Sequence, residues 1–425
     1  MIESFFGKVR LIFKDSLLRK KIFFVLGAIL VFRTIAAIPI PGVDTDALAK
    51  FFGDNQFFGL LNIFSGGGLS GLSIVMLGVG PYITGSIIMQ LLTIMSPKLK
   101  ALYHEEGAIG KKKFMQYSRF LTIPLAVIQG FSFLVILQQQ GIIEQLTGLS
   151  LITNLVVITA GSVLLMWIGE LISEFGIGNG VSLIIFSGIV AGLPNAVRQV
   201  IFTYDPSQLP TYLAFLFVGA VIILGVVIIT EAERPIPVTY AKQVRGNKVY
   251  GGTSTYLPLR VNQAGVIPII FALSILLLPQ MLINFLGAII TSGPINTVMT
   301  WFTVFIANQW YYGITYFLLV FLFTYFYTAV TFEPNAISEN LQKSGAFIPG
   351  VRPGQSTSDH IAKVLTRITL VGATFLGLIA VLPIIVQGIS GIQSLTIGGT
   401  ALLIAVSVII DLIKKMDAQV SMREY

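Results

Sequence analysis

Residues 72–119 read LSIVMLGVGPYITGSIIMQLLTIMSPKLKALYHEEGAIGKKKFMQYSR, with no charged residue before Lys98 and a dense set of cations from there on. A hydrocarbon layer about 30 Å thick takes roughly 20 helical residues to cross, and cations flanking a span are kept on the cytoplasmic side. The stretch therefore reads as a membrane span whose C-terminal end, with Lys98, Lys100, Lys111, Lys112, Lys113 and Arg119, lies in the cytoplasm. Working outward in both directions, the same reading gives ten spans near 21–38, 72–95, 118–138, 151–173, 181–203, 211–230, 265–287, 310–332, 367–386 and 397–413. With the N-terminus inside, every Lys and Arg except Arg33, Lys50 and Arg198 falls in the inward segments, which puts both termini on the cytoplasmic face of a cell membrane.

Only 11% of the 425 residues are charged and 55% are hydrophobic, against about 25% charged in soluble domains. A β-barrel would show alternating segments of about ten residues, whereas these runs are continuous and about twice as long. The expected class is an all-α membrane protein of ten transmembrane helices. Because five is odd, a second set of five spans starts on the opposite side from the first. The halves 21–204 and 205–413 are thus inverted relative to each other, between a cytoplasmic N-terminal segment, 1–20, and a cytoplasmic tail, 414–425. The basic start followed by apolar residues looks like a signal peptide. The run continues, however, into Ile38-Pro39-Ile40-Pro41-Gly42 without a small-residue cleavage site, so it is read as a retained first span.

The inventory for catalysis is poor. There is no cysteine, the two histidines His104 and His360 lie in different inward loops, and neither a His-x-x-x-His nor a Gly-x-x-x-x-Gly-Lys pattern occurs. No catalytic residue, metal or cofactor is expected, and the driving energy would come from outside the chain. Inverted halves are a common plan of secondary transporters, so an ion-coupled transporter is the alternative. It would need ionisable groups at mid-membrane. Glu170, Glu174 and Asp411 stand at span ends, and the spans offer no ionisable group at the expected depth except Arg33. The loop cations are accounted for by topology and by anionic membrane lipid.

Three segments stand apart from the spans. Residues 56–71, QFFGLLNIFSGGGLSG, begin apolar and break at Gly66, Gly67 and Gly68, too short to cross. They read either as an interfacial helix or as a re-entrant one buried in protein. The inward loop 231–262 alternates Thr239, Val249, Tyr250, Thr253 and Tyr256 around Gly246-Asn247, a β-hairpin with basic residues at its tip. The inward loop 333–362 carries Gly345, Pro349, Gly350, Pro353 and Gly354, which is turn chemistry. Two structured basic projections on one face suggest that something large docks there. Within the second span, Ile83 and Ile87 share a helix face beside Gly78, Gly80, Gly85 and Ser86, which allow close approach of another helix. Leu319 is expected on the lipid side of the eighth span.

At these residues the chain resembles the SecY/Sec61α family, central subunits of the protein-conducting channel. The likeness runs end to end, through PIPGVD (39–44), NIFSGGGLSGLSI (62–74), PYITGSIIMQLLT (81–93), GKKKFMQYSRFLT (110–122), GIGNGVSLIIFSGIVAGLP (176–194), YLPLRVNQAGVIP (256–268) and KSGAFIPGVRPG (343–354). The resemblance implies a constriction of aliphatic side chains at Ile83, Ile87, Ile185, Ile270 and Ile404. It implies a plug half-helix at about 60–71, including Asn62, Ile63, Phe64, Ser65, Gly66, Gly67, Gly68 and Leu69, which makes the re-entrant reading the better one. The second and seventh spans would wall a lateral gate. Lys242, Arg245, Lys248 and Arg352 would meet a SecA motor ATPase or a ribosome. Phe175, Asn335-Ala336 and Gln342 stand where the family commonly carries basic residues, so this docking face is less basic than usual. The implied function is passive conduction of unfolded secretory proteins across the membrane, with release of transmembrane segments into lipid. Implied partners are SecE-like and SecG-like small membrane subunits, signal sequences and unfolded preproteins.

Overall fold

The computed structural model describes residues 15–40, 62, 65–69, 71–104, 106–139, 141–143, 148–202, 209–241, 243–245, 248–250, 252, 254–289, 297, 301, 304–305, 308–390 and 394–421. Its helices are α1 Ser16–Ala36, α2 Gly80–Met95, α3 Pro97–His104, α4 Gly107–Gln139, α5 Gly148–Phe175, α6 Gly180–Phe202, α7 Leu209–Glu231, α8 Ile267–Ile289, α9 Gln309–Thr331, α10 Pro334–Lys343, α11 Gln355–Ser390 and α12 Ser394–Ser421. Five strands accompany them: β1 Glu233–Tyr240, β2 Gln243–Arg245, β3 Lys248–Tyr250, β4 Ser254–Arg260 and β5 Ala346–Phe347.

Each of the ten apolar runs is covered, wholly or in part, by one of these helices. Among the described residues, Gly107–Gln139, Gly148–Phe175, Gln309–Lys343 and Gln355–Leu382 are long and apolar enough to cross a membrane, and Gly80–Met95 is one of several shorter apolar helices. Charge and capping move several boundaries. α1 starts at Ser16, ahead of the apolar pattern, because the Asp15 carboxylate accepts the Leu17 N–H at 2.8 Å and so satisfies a free donor of the first turn. α4 and α11 begin well before their apolar runs.

The second span differs from its reading. Residues 72–79 are turns and helix begins only at Gly80, with Pro81 in its first turn. Leu72 at φ 39° and Gly78 at φ 59° are left-handed and break any helix there. The half-helix expected at 60–71 is also modified. Asn62 is helical but Ser65–Leu69 are turns, since Gly66 and Gly67 have φ of 65° and 84°. Ile63 and Phe64 lie outside the described residues.

Helix packing falls into two groups. α1 lies on α5 and α6, and α2, α4, α5 and α6 pack in succession; in the second group α8 packs on α9, α9 on α11, α11 on α12 and α12 on α7. The groups meet along two seams, α8 against α4 and α2, and α12 against α6. A continuous apolar cluster runs through both groups, from Phe32 and Val79 to Leu403 and Val408.

The loops after α7 and α9, expected as two separate projections, form a single sheet of order β4-β1-β5. β1 pairs antiparallel with β4 from Glu233↔Arg260 to Thr239↔Ser254, and with β5 at Thr239↔Phe347 and Tyr240↔Ala346. Ile236, Val238, Leu259, Ala346, Ile348 and Ile361 are its buried core. The expected hairpin is present as β2 and β3, in register Arg245↔Lys248.

Candidate functional site

Ile83 and Ile87 lie one turn apart on α2, Ile185 on α6, Ile270 on α8 and Ile404 on α12. All five are at most 6% exposed and belong to the same apolar cluster. Four helices, two from each group, thus contribute these aliphatic side chains to the one apolar cluster that runs through both groups. None of the five carries a group that could hydrogen-bond, coordinate or react. Leu319, expected to face lipid, packs against this cluster instead, while Leu322 is 61% exposed.

The glycine turn sits against the cluster. The Ser65 hydroxyl donates to the Asn62 carbonyl at 3.0 Å and accepts the Leu69 N–H at 2.9 Å, while the Gly67 N–H donates to the Asn62 carbonyl at 2.8 Å. Ser65 and Leu69 are buried. On one side the turn is anchored by the chain leaving α1: the Ile40 N–H donates to the Leu72 carbonyl at 2.8 Å, and the Ile74 N–H to the Ile38 carbonyl at 3.0 Å. On the other side it meets bare backbone. A methyl group on Gly188 of α6 would collide with Cα of Gly66, and one on Gly66 would come within 2.6 Å of the Phe32 ring. Arg33 stands beside Gly67, its guanidinium 4.9 Å from the centre of the Phe32 ring. The two facing glycines, Gly66 and Gly188, were not singled out as a pair by sequence reasoning, and no local pattern could have paired them.

Two of the three acidic residues at span ends are held in ion pairs. Glu170 on α5 is bound by Arg119 on α4 at 2.7 Å, and Asp411 by Lys415 at 2.6 Å. Among the described residues, no three His, Cys, Asp or Glu side chains gather as metal ligands would.

In the loop after α9, Arg352 is exposed at the tip of a turn between Gly350, φ 81°, and Gly354, φ 99°. The turn is pinned from both sides. Thr357 Oγ1 donates to the Arg352 carbonyl at 3.0 Å and Ser338 Oγ to the Gly354 carbonyl at 2.7 Å. Asn335 accepts from Ser358 Oγ at 2.6 Å, so this departure from a basic residue has a structural use. Phe175, another departure, packs edge-on to Phe24 of α1. Arg245 and Lys248 end the paired strands β2 and β3, and Lys242 lies outside the described residues. On α3, burial pushes the Tyr103 phenol above its ordinary value, with its ring packed on Phe114.

The SecY family model matches residues 73–413. Protein translocase subunit SecY of Mycobacterium leprae is 41% identical over 449 residues, covering 100% of this chain and 99% of that protein. A solved structure described as "The structure of a protein conducting channel" superposes with a TM-score of 0.66 at 17% identity, over 94% of this chain and 92% of the other. "Sec61 in the Canine ribosome-channel complex from the endoplasmic reticulum" gives a TM-score of 0.62 at 16% identity, with the same coverage.

Proposed function

Because this chain belongs to the SecY family, we propose that it is the channel subunit of a protein translocase, conducting unfolded secretory proteins across the cytoplasmic membrane and releasing hydrophobic segments sideways into lipid. The observation that supports this reading is that Ile83, Ile87, Ile185, Ile270 and Ile404, from four helices, are all buried in the apolar cluster that runs through both helix groups, with a glycine turn seated against that cluster at Phe32 and Gly188. Aliphatic side chains suit such a constriction. They offer a passing chain no fixed hydrogen bond, adapt to its side chains, and exclude ions by dewetting. The turn at 65–69 serves as the plug of the resting channel. The ten apolar helices cross the membrane in two inverted sets of five, both termini in the cytoplasm. The transporter alternative loses ground because Glu170 and Asp411 are neutralised by cations where an ion site would need them free.

The chain does no covalent chemistry in this scheme. SecE-like and SecG-like subunits would cover exposed apolar faces such as Leu213, Leu216, Phe217 and Leu224 of α7. The sheet of the two inward loops, with Arg352, Arg245 and Lys248, would receive a SecA-type motor or a ribosome.

The test is photocrosslinking to a secretory chain stalled in the motor-engaged complex. Probes go at Ile83, Ile185, Ile270 and Ile404, with Leu322 as the lipid-facing control. Adducts at the four positions and none at the control are expected. Adducts absent from all four would mean that the chain passes elsewhere.

A further inference from the structure

β1 carries Pro235 and Pro237 and β4 carries Pro258, three prolines in strands of eight and seven residues. Proline has no N–H to give a ladder, and in sheets it is confined to edges and bulges. The register explains how these three are accommodated. The Val261 N–H donates to the Ala232 carbonyl at 2.9 Å, one step beyond the Glu233↔Arg260 pair. Hydrogen-bonded and non-hydrogen-bonded pairs alternate along an antiparallel ladder, so Arg234↔Leu259, Ile236↔Leu257 and Val238↔Thr255 exchange the bonds between β1 and β4. Pro235, Pro237 and Pro258 fall in the other pairs, and their nitrogens point away from the partner strand. For Pro258 that direction is the outer edge of β4. For Pro235 and Pro237 it is the side of β1 on which β5 pairs only as far as Thr239. Among the described residues no strand covers either edge there, and all three prolines are exposed.

An open edge is a template for any extended chain, because its row of N–H and C=O groups can take that chain up as an additional strand. On the channel reading above, on which this inference rests, the loops that build the sheet receive the motor or ribosome that delivers the secretory protein. The sheet thus stands where a chain arrives unfolded. We propose that Pro235, Pro237 and Pro258 keep the sheet from capturing the passing chain as an added strand.

A strand laid on β4 would draw on the N–H groups of Ser254, Tyr256 and Arg260, and Pro258 leaves a gap in the middle of that row. On β1, Pro235 and Pro237 remove two successive donors, and beyond them the chain is turned to β5, where the Ala241 N–H donates to the Gly345 carbonyl at 2.9 Å. A neighbouring copy held in the same membrane would pair through one edge at a time, whereas a flexible chain in transit can reach both, and both are blunted. The sheet does not depend on the three prolines for its core, which is made by the alternate residues Ile236, Val238 and Leu259. One main-chain hydrogen bond more or less changes an equilibrium about fivefold.

The experiment uses the complete partner-bound complex with a photoreactive probe in place of Ser254, and two secretory chains that differ in one segment. One carries an alternating Thr-Val segment able to form a strand, the other the same segment with proline at every third position. Crosslinks to the probe are counted per engaged chain, so the value is independent of how much complex folds. Pro258→Val is expected to raise crosslinks to the Thr-Val chain about fivefold and to slow its translocation, with no change for the proline-interrupted chain. Pro235→Val combined with Pro237→Val should slow the same chain through the other edge. The control is Tyr256→Val, at an exposed position of the β4 edge that already has its N–H, and it should behave as the wild type. Unchanged crosslinking and translocation in both proline variants, or an equal change in Tyr256→Val, overturns the proposal while leaving the channel reading intact. So does capture of a second copy of this chain by the probe in place of the passing one. A wild-type complex that translocates neither chain overturns the channel reading as well.

Discussion

At Gly188 a single methyl group decides whether two elements can meet. The contact there is backbone to backbone, so no side chain can swing aside to make room. Overpacking of this kind costs about 1–3 kcal/mol, and the ratio of seated to unseated turn falls roughly fivefold or more. Gly188→Ala should therefore raise the ion conductance of the resting channel in reconstituted bilayers. Gly192→Ala, four residues along the same helix and facing open space, should conduct like the wild type. Equal conductance in all three proteins would mean that the turn is not the seal. Sequence alone was uneven guidance at this scale. By periodicity, Ile83 and Ile87 are indistinguishable from core isoleucines anywhere, and only resemblance singled out the five. Gly66 and Gly188 lie 122 positions apart in the chain, and no local pattern chooses such partners.

Elements were read well where one physical demand dominates, and less well where two compete. α5 and α9 are uninterrupted apolar helices, and hydrophobic length alone locates them. In the second span, length predicted a crossing from Leu72, yet α2 has 16 residues and is about 24 Å long, short of the hydrocarbon layer. The missing depth is filled by turns whose Leu72, Val75, Met76 and Val79 side chains are buried. Irregular backbone is tolerated at such depth only when protein surrounds it. The inward loops show the converse. Turn residues announced the hairpin and the Gly-Pro tip, but pairing of β1 with β5, between residues 106 and 108 positions apart, is a tertiary choice. Through that pairing the two loops share one sheet. Reversing charge at the exposed Arg352 leaves the pinned turn intact, because its carbonyl, not its guanidinium, makes the structural bond. Arg352→Glu should weaken motor binding about tenfold, or about 1.4 kcal/mol, and lower motor-driven translocation without raising resting conductance. Unchanged binding would remove Arg352 from the docking face.

The whole molecule is governed by a conflict between closure and opening. Two helix groups meet along two seams, and in lipid neither seam is held by a hydrophobic driving force, since the tails outside are as apolar as the core inside. Packing of small residues, a few hydrogen bonds and partner subunits must hold them, which leaves each seam within reach of a modest perturbation. The proposed orientation, by contrast, rests on charge, and it is a global property that can be measured position by position because the chain has no cysteine of its own. Single cysteines at Lys112, Arg352 and Lys415 should react with a membrane-impermeant maleimide only when it is supplied from the cytoplasmic side. Cysteines at Lys50, Gln208 and Thr297 should react only from the outside. These six sites bracket both halves, so the pattern tests inversion as well as sidedness: a second half inserted parallel to the first would put Arg352 and Lys415 outside and Thr297 inside. Labelling of Lys112 from outside would reverse the first half and, with it, the assignment of the basic sheet as a cytoplasmic docking face.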